Sequence, residues 1–338
     1  MVDSFLFPQG PRGRSAQVSR GNVLLDATIR DFSGGWNVVD NDLNLSSKFA
    51  KTLQNMQRGI DGALNVRPGT ELFADTSDHL DEIVNCEYYN NFIVCVGANG
   101  KIVRIDGTGN VKLIWDDNLA SALKGNPSGW STTTFVSFAQ FNGDLILCNG
   151  VNKPLIINTS MDVSYLQDLA DLSNANTPIA RFVVAHGRYL VMGGSLSVGE
   201  EDRLFISATD VGDLGSRVPS GSNVIKGLGR FRDKLVVMFE NATLIGTLGG
   251  FVDSAHVPVF DDAIENVGSI SHRTIQTIGE DMIFGDRAGI SNMKRALFTG
   301  NIQSDRASQL IDPAYLTSLA KVPATASQED RIWSLWDS

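Results

Sequence analysis

One pattern of apolar and polar positions recurs along the chain: an apolar run, a short polar turn, then a second run of four or five apolar residues. It appears at residues 84–97 (VNCEYYNNFIVCVG), 138–150 (FAQFNGDLILCNG), 182–194 (FVVAHGRYLVMGG), 228–241 (LGRFRDKLVVMFEN) and 275–289 (IQTIGEDMIFGDRAG). The turns between the runs are Asn90-Asn91, Asn142-Gly143-Asp144, His186-Gly187-Arg188, Arg232-Asp233-Lys234 and Gly279-Glu280-Asp281. These residue types tolerate the backbone of a tight turn between two antiparallel strands. The second runs begin at Phe92, Leu145, Tyr189, Leu235 and Met282, at intervals of 53, 44, 46 and 47 residues. A sixth copy is then expected near residue 329, where Glu329-Asp330-Arg331 precedes Ile332-Trp333-Ser334-Leu335-Trp336. A third strand follows four of the hairpins, at residues 101–106, 153–158, 203–208 and 243–248.

Units of about 45 residues with three or four strands match the blades of a β-propeller. The second run is apolar on both faces, as a strand sandwiched between two neighbouring sheets must be. The other reading of the pattern is a β-sandwich with similar hairpins. The expected fold is therefore all-β, a six-bladed β-propeller with a few short helices. The sixth copy brings only its inner hairpin, so its outer strands are expected from the N-terminal segments Val23–Phe32 and Leu64–Leu72, which would remove an open sheet edge. Ser46-Ser47 predicts a short helix through Gln57, with Phe49, Leu53 and Met56 on one face. Asp312-Pro313 predicts another, carrying Tyr315, Leu316 and Leu319. Residues 1–20 read as an extended arm, residues 21–75 as closing strands and short helix, and residues 76–338 as the six repeats.

Composition narrows the function. The 338 residues are 42% hydrophobic and 20% charged, with 33 glycines against 10 prolines, a balance that favours tight turns over disorder. The net charge of −10 argues against general binding to nucleic acid or a membrane surface, because phosphate rewards clustered Lys and Arg. No apolar run approaches the roughly 18 residues of a membrane span, and the N-terminus lacks the order of a signal peptide. Cys86, Cys95 and Cys148 form an odd, sparse set without a disulfide framework. Cys86 and Cys95 face each other across one hairpin and are expected to pack as small apolar residues.

The search for chemistry finds no catalytic, cofactor-binding or metal-binding set. None of His79, His186, His256 and His272 pairs with another ligand at metal spacing. No nucleophile elbow, H-E-x-x-H or P-loop is present. The acidic clusters Asp116-Asp117, Glu200-Glu201-Asp202 and Asp261-Asp262 read first as solvated loop charge.

The N-terminal region reads Asp31-Phe32-Ser33-Gly34-Gly35-Trp36-Asn37, and further on Gly62-Ala63-Leu64-Asn65-Val66-Arg67-Pro68-Gly69-Thr70. Downstream come Arg203-Leu204-Phe205-Ile206-Ser207 with Gly212-Asp213, then Asn266-Val267-Gly268-Ser269 and Asp286-Arg287-Ala288-Gly289-Ile290. In order and spacing, over roughly residues 31–298, these elements resemble the tail nozzle proteins of short-tailed bacteriophages, also called tail tubular protein B or tail hub proteins. The resemblance implies a six-bladed propeller core that assembles as a homo-hexameric ring under the tail adaptor ring, with DNA passing through without specific binding. It implies a virion protein made in the host cytoplasm, no enzyme activity and no membrane insertion, with tail fibres or the host surface as further partners. Family members are commonly longer than this chain. On this reading Glu200, Glu201, Asp202, Asp210 and Asp213, in the third repeat, are candidates for channel or rim charge. The alternatives are a propeller interaction scaffold without a ring and, behind it, a propeller enzyme, because fold alone does not set function.

Overall fold

The computed structural model describes residues 34–41, 44–52, 56–58, 63–66, 69–116, 130, 135–166, 179–196, 201–208, 211–217, 224–252, 255–278, 281–295 and 302–321. The chain forms two compact units, one of residues 1–71 with 308–320, the other of residues 72–307 with 321–338.

In the first unit, strand β1 (Gly35–Trp36) pairs in parallel with β2 (Phe49–Ala50), and β3 (Met56–Arg58) pairs antiparallel with β4 (Leu64–Val66). Among the described residues of 46–57 the expected helix is absent: β2 lies within the stretch and β3 begins at its end. Three apolar residues on so short a segment give a marginal helix, and the two ladders satisfy the backbone instead. Leu64–Val66, one of the segments expected to close the last repeat, pairs with β3. The other pieces of the expected closure, Val23–Phe32 and the hairpin at 329–336, lie outside the described residues, as do residues 1–20. Helix α1 (Asp312–Leu319) forms where expected, with Pro313 in its first turn, yet it buries none of its residues.

Among its described residues the second unit holds five four-stranded antiparallel sheets, each a simple meander in chain order. The first comprises β5 (Ile83–Tyr89), β6 (Phe92–Gly97), β7 (Ile102–Ile105) and β8 (Val111–Trp115). The second comprises β9 (Ser137–Phe141), β10 (Asp144–Cys148), β11 (Leu155–Ile157) and β12 (Val163–Tyr165). The third comprises β13 (Phe182–His186), β14 (Tyr189–Gly193), β15 (Leu204–Ala208) and β16 (Val211–Arg217). The fourth comprises β17 (Gly227–Phe231), β18 (Lys234–Met238), β19 (Ala242–Val252) and β20 (Ala255–Glu265). The fifth comprises β21 (Gln276–Ile278), β22 (Asp281–Gly285), β23 (Ile290–Arg295) and β24 (Ile302–Arg306). All five expected hairpins and the four expected third strands are present.

The sequence explains each sheet. Asn90 and Asn91 take φ of 48° and 65°, and Asn142 and Gly143 take 51° and 89°. Two consecutive left-handed residues make the turn whose twist matches the flanking strands. At the corners leaving the second and third strands, short polar side chains fold back on the backbone. Asn149 Oδ1 accepts from the Val151 and Asn152 N–H groups, and Asp286 Oδ1 from those of Ala288 and Gly289. Asp106 and Asn158 do the same between the third and fourth strands. Such bonds to Asp106 hold its carboxyl at about 2, Thr108 contributing most.

Strand periodicity then sorts the side chains between neighbours. Leu145 and Leu147 of β10 pack with Val94 and Val96 of the first sheet, while Ile146 and Cys148 pack with Leu190 and Met192 of the third. Val191 packs with Leu235 and Val237, and Val236 and Met238 with Met282 and Phe284. On the other face of the first sheet, Cys95 and Val103 pack on Leu80. This is blade-on-blade packing of the propeller type.

Gly268 marks a place where the chain has no room. A Cβ there would strike the carbonyl oxygens of Phe239 and Glu240, while the neighbouring Ser269 N–H bonds Phe239 O at 2.9 Å. Gly268→Ala is expected to cost about 2–3 kcal/mol. Gly107→Ala, with nothing within 4 Å of its Cβ position, should stay within about 0.5 kcal/mol. Denaturant unfolding of the two variants checks the contrast.

Candidate functional site

The first strands of the second, third and fourth sheets, with the segment leading into the fifth, border a cleft of about 250 Å³. Phe138, Val184, Leu228 and Ile275 supply its apolar wall, and Gln140, Arg230, His272 and Thr277 its polar groups. Most of that polar capacity is spent internally. Gln140 Nε2 donates to Tyr88 O at 2.8 Å and to Glu87 Oε1 at 3.2 Å. Thr277 Oγ1 donates to Arg230 O at 2.8 Å, and Arg230 Nε to Arg232 O at 3.0 Å. The Leu228 N–H donates to His272 Nδ1 at 3.3 Å, which assigns the ring proton to Nε2.

Beside His272 lies a knot of rings and guanidinium groups. Phe135 stands edge-on to Phe182, with centroids 5.5 Å apart, and the His272 ring lies 5.0 Å from Phe182. The Arg181 guanidinium sits 5.0 Å from the Phe135 centroid and that of Arg273 5.2 Å. Phe135 precedes β9, Arg181 precedes and Phe182 opens β13, and His272 and Arg273 precede β21. The knot thus ties together the starts of three sheets, the consecutive second and third and the more distant fifth. Burial first, then the charges of Arg181 and Arg273, lower the His272 pKa to about 4. His186, at the end of β13, is lowered too, by burial and then by Arg230. Both rings are neutral near pH 7.

Of the proposed channel or rim charges, Glu201, Asp202 and Asp213 fall on described residues. Glu200 and Asp210 lie outside the described residues. Glu201 and Asp202 form the half-buried turn before β15, where the Glu201 carbonyl accepts the Ile225 N–H at 3.1 Å. Asp213 lies on β16, the last strand of its sheet and the one farthest in pairing order from the cleft. Asp116 pairs with Lys101 at 3.3 Å. Among the described residues no three His, Cys, Asp or Glu side chains are grouped to hold a metal ion. Sequence reasoning missed Arg181, Arg230 and Arg273 as members of the cleft and knot. The available signal was that each lies in or beside the first apolar run of a repeat.

The residues of the N-terminal motif also have structural work. A Cβ on Gly34 would meet the Phe49 ring at 2.6 Å, and Gly35 takes φ +76°. Trp36 Nε1 donates to Lys51 O at 3.0 Å. Buried Asn37 accepts the Val39 and Asp40 N–H groups on Oδ1 and donates to Asp40 Oδ2 at 2.8 Å.

No family model matches the chain, and no curated protein matches it. Solved structures similar to parts of it include PorZ, a bacterial surface component of the type-IX secretion system of Porphyromonas gingivalis. That similarity runs at 13% identity and TM-score 0.44, over 67% of this chain and 28% of that one. The β-propeller domain of Cps50 (Swd1) from Myceliophthora thermophila is similar at 9% identity and TM-score 0.44, over 64% of this chain and 67% of that one. YCF48 from Cyanidioschyzon merolae is similar at 11% identity and TM-score 0.44, over 68% and 72%. The chain thus spans under a third of the length of the first of these.

Because the folded His272 pKa lies below its ordinary 6.5, the unfolded chain binds the proton more readily. The stability that neutral His272 permits is complete above pH 6.5 and is lost progressively as pH falls towards 4. His272→Asn keeps an acceptor for the Leu228 N–H and removes the titration. Its unfolding midpoint should fall less steeply than wild type between pH 6.5 and 4, with His186 supplying the remaining slope.

Proposed function

We propose that the chain is a non-catalytic scaffold of propeller blades whose loops and sheet edges meet other proteins. The observation that carries this is the state of the inner-strand cleft. Its Gln140, Thr277 and His272 groups are tied to backbone or to neighbours, and its histidine is held neutral by burial beside two arginines. A cleft arranged in this way favours rigidity over proton transfer or nucleophilic attack.

The finer reading is the nozzle or hub ring of a short phage tail. It is supported by the resemblance of residues 31–298 to that family, and by the structural use of the motif residues Gly34–Asn37 and Gly268. In this reading the propeller has six blades, the last made from the hairpin at 329–336 with N-terminal strands. Six copies ring the tail axis beneath the adaptor, and DNA slides through during ejection. Cyclic symmetry closes such head-to-tail contacts. A net charge of −10 per copy favours sliding over holding, since each phosphate contact would add to a brake. The second reading, a scaffold without a ring, shares the blades and drops the assembly.

Particle mass and electron-microscopy symmetry of the purified chain, alone and with the adaptor ring from the same genome, separate the two. The nozzle reading expects six copies with six-fold symmetry on the adaptor. It also expects duplex DNA affinity weaker than the roughly 10⁻⁴–10⁻⁶ M of non-specific binders near physiological salt. A chain that stays monomeric and ignores the adaptor supports the ringless scaffold. Tight, salt-sensitive duplex binding contradicts the sliding channel.

A further inference from the structure

The hairpin β5–β6 holds two thiols in an arrangement that packing alone does not require. Its two-residue turn makes Tyr89 and Phe92 the hydrogen-bonded pair that closes the hairpin. Pairs alternate from there: Tyr88 with Ile93 is non-hydrogen-bonded, Glu87 with Val94 is bonded, and Cys86 with Cys95 is again non-hydrogen-bonded. At such positions the Cα atoms approach to about 4.5 Å and the side chains lie side by side on one face. That spacing falls within the roughly 4.4–6.8 Å spanned by disulfides. The two Sγ atoms stand 2.7 Å apart, so a bond of about 2.05 Å needs movement of well under an ångström. Cys95 is buried against Leu80 and Val103, whereas Cys86, expected from sequence to be packed inside, is exposed.

We propose that Cys86 and Cys95 form a modification site, a cross-strand dithiol that a low-molecular-weight disulfide such as oxidised glutathione converts to a disulfide. Exposure makes Cys86 the sulfur that an oxidant can reach. Its sulfur attacks one sulfur of oxidised glutathione, the glutathione S–S bond breaks, and the first glutathione leaves as a thiol carrying the Cys86 proton. Cys95 then attacks the Cys86 sulfur of the mixed disulfide. The Cys86–Cys95 bond forms, and the second glutathione leaves with the Cys95 proton. Two protein thiols are oxidised and one glutathione disulfide is reduced to two thiols, with atoms and electrons balanced. The Cys86 S–H donates to Cys95, which lowers the Cys95 pKa and raises that of Cys86, so it is exposure and not acidity that makes Cys86 the first sulfur to react. Cys148 is an internal control: it is fully buried against Met192 Sδ at 3.6 Å, and burial raises its pKa.

The test is incubation of the folded full-length chain with oxidised and reduced glutathione in varied ratio, followed by acid quench, alkylation and peptide mass mapping. The expected result is a linked peptide pair containing Cys86 and Cys95, without a lasting glutathione adduct, while Cys148 stays alkylatable. Cys95→Ser should stop at a stable glutathione adduct on Cys86, and Cys86→Ser should leave both remaining cysteines unmodified. If a variant fails to fold, the wild-type map alone decides. A wild-type chain that accumulates the Cys86 adduct without closing it, or that leaves both thiols unreacted at ratios that oxidise the unfolded chain, overturns the proposal.

Discussion

The structure depends on a strand that is apolar on both faces. In β6, β10, β14 and β18, consecutive side chains go to opposite neighbours, so each strand belongs to two cores at once. Leu145 and Leu147 complete the cluster shared with the first sheet, and Ile146 and Cys148 the cluster shared with the third. Each fully buried aliphatic side chain of this kind contributes about 1.5–3 kcal/mol of transfer free energy. A single four-stranded meander would leave half of that surface in water, so no sheet of the series is stable alone. The repeat interval, the tight hairpins and the polar corners all follow from the need to deliver this strand, in the same register, to the next pair of faces.

Where the first strands converge, the apolar rule gives way. Arg181, Arg273 and His272 sit among Phe135 and Phe182, where burying charge is costly unless it is compensated. Ring faces provide part of that compensation, at about 0.5–2 kcal/mol per contact. Keeping His272 neutral avoids a third positive charge. The knot joins segments more than 130 residues apart and fixes the angle between sheets that share no strand pairing.

Much of this was legible in the sequence because period-two burial writes itself into a run such as Leu145-Ile146-Leu147-Cys148, and tight turns demand Asn or Gly. Helix α1 was legible from Asp312-Pro313. The stretch 46–57 was not, since helix-forming residues there are overruled by pairing with Gly35–Trp36 and Leu64–Val66, contacts that local propensity does not encode. The arginine–aromatic knot was hidden for a different reason. An Arg beside a strand start reads as surface charge until the sheets are assembled around it. The acidic cluster at Glu201-Asp202 was visible in the sequence, but its place in a turn before β15 was not.

The claim that shared two-faced strands bind the five sheets into one cooperative body is tested most directly by native-state hydrogen exchange across a denaturant series. The account predicts that the slowest amides lie in β6, β10, β14 and β18, and that they exchange together, with one opening free energy and one denaturant dependence. Stepwise exchange, in which individual sheets open independently at well-separated free energies, would contradict it.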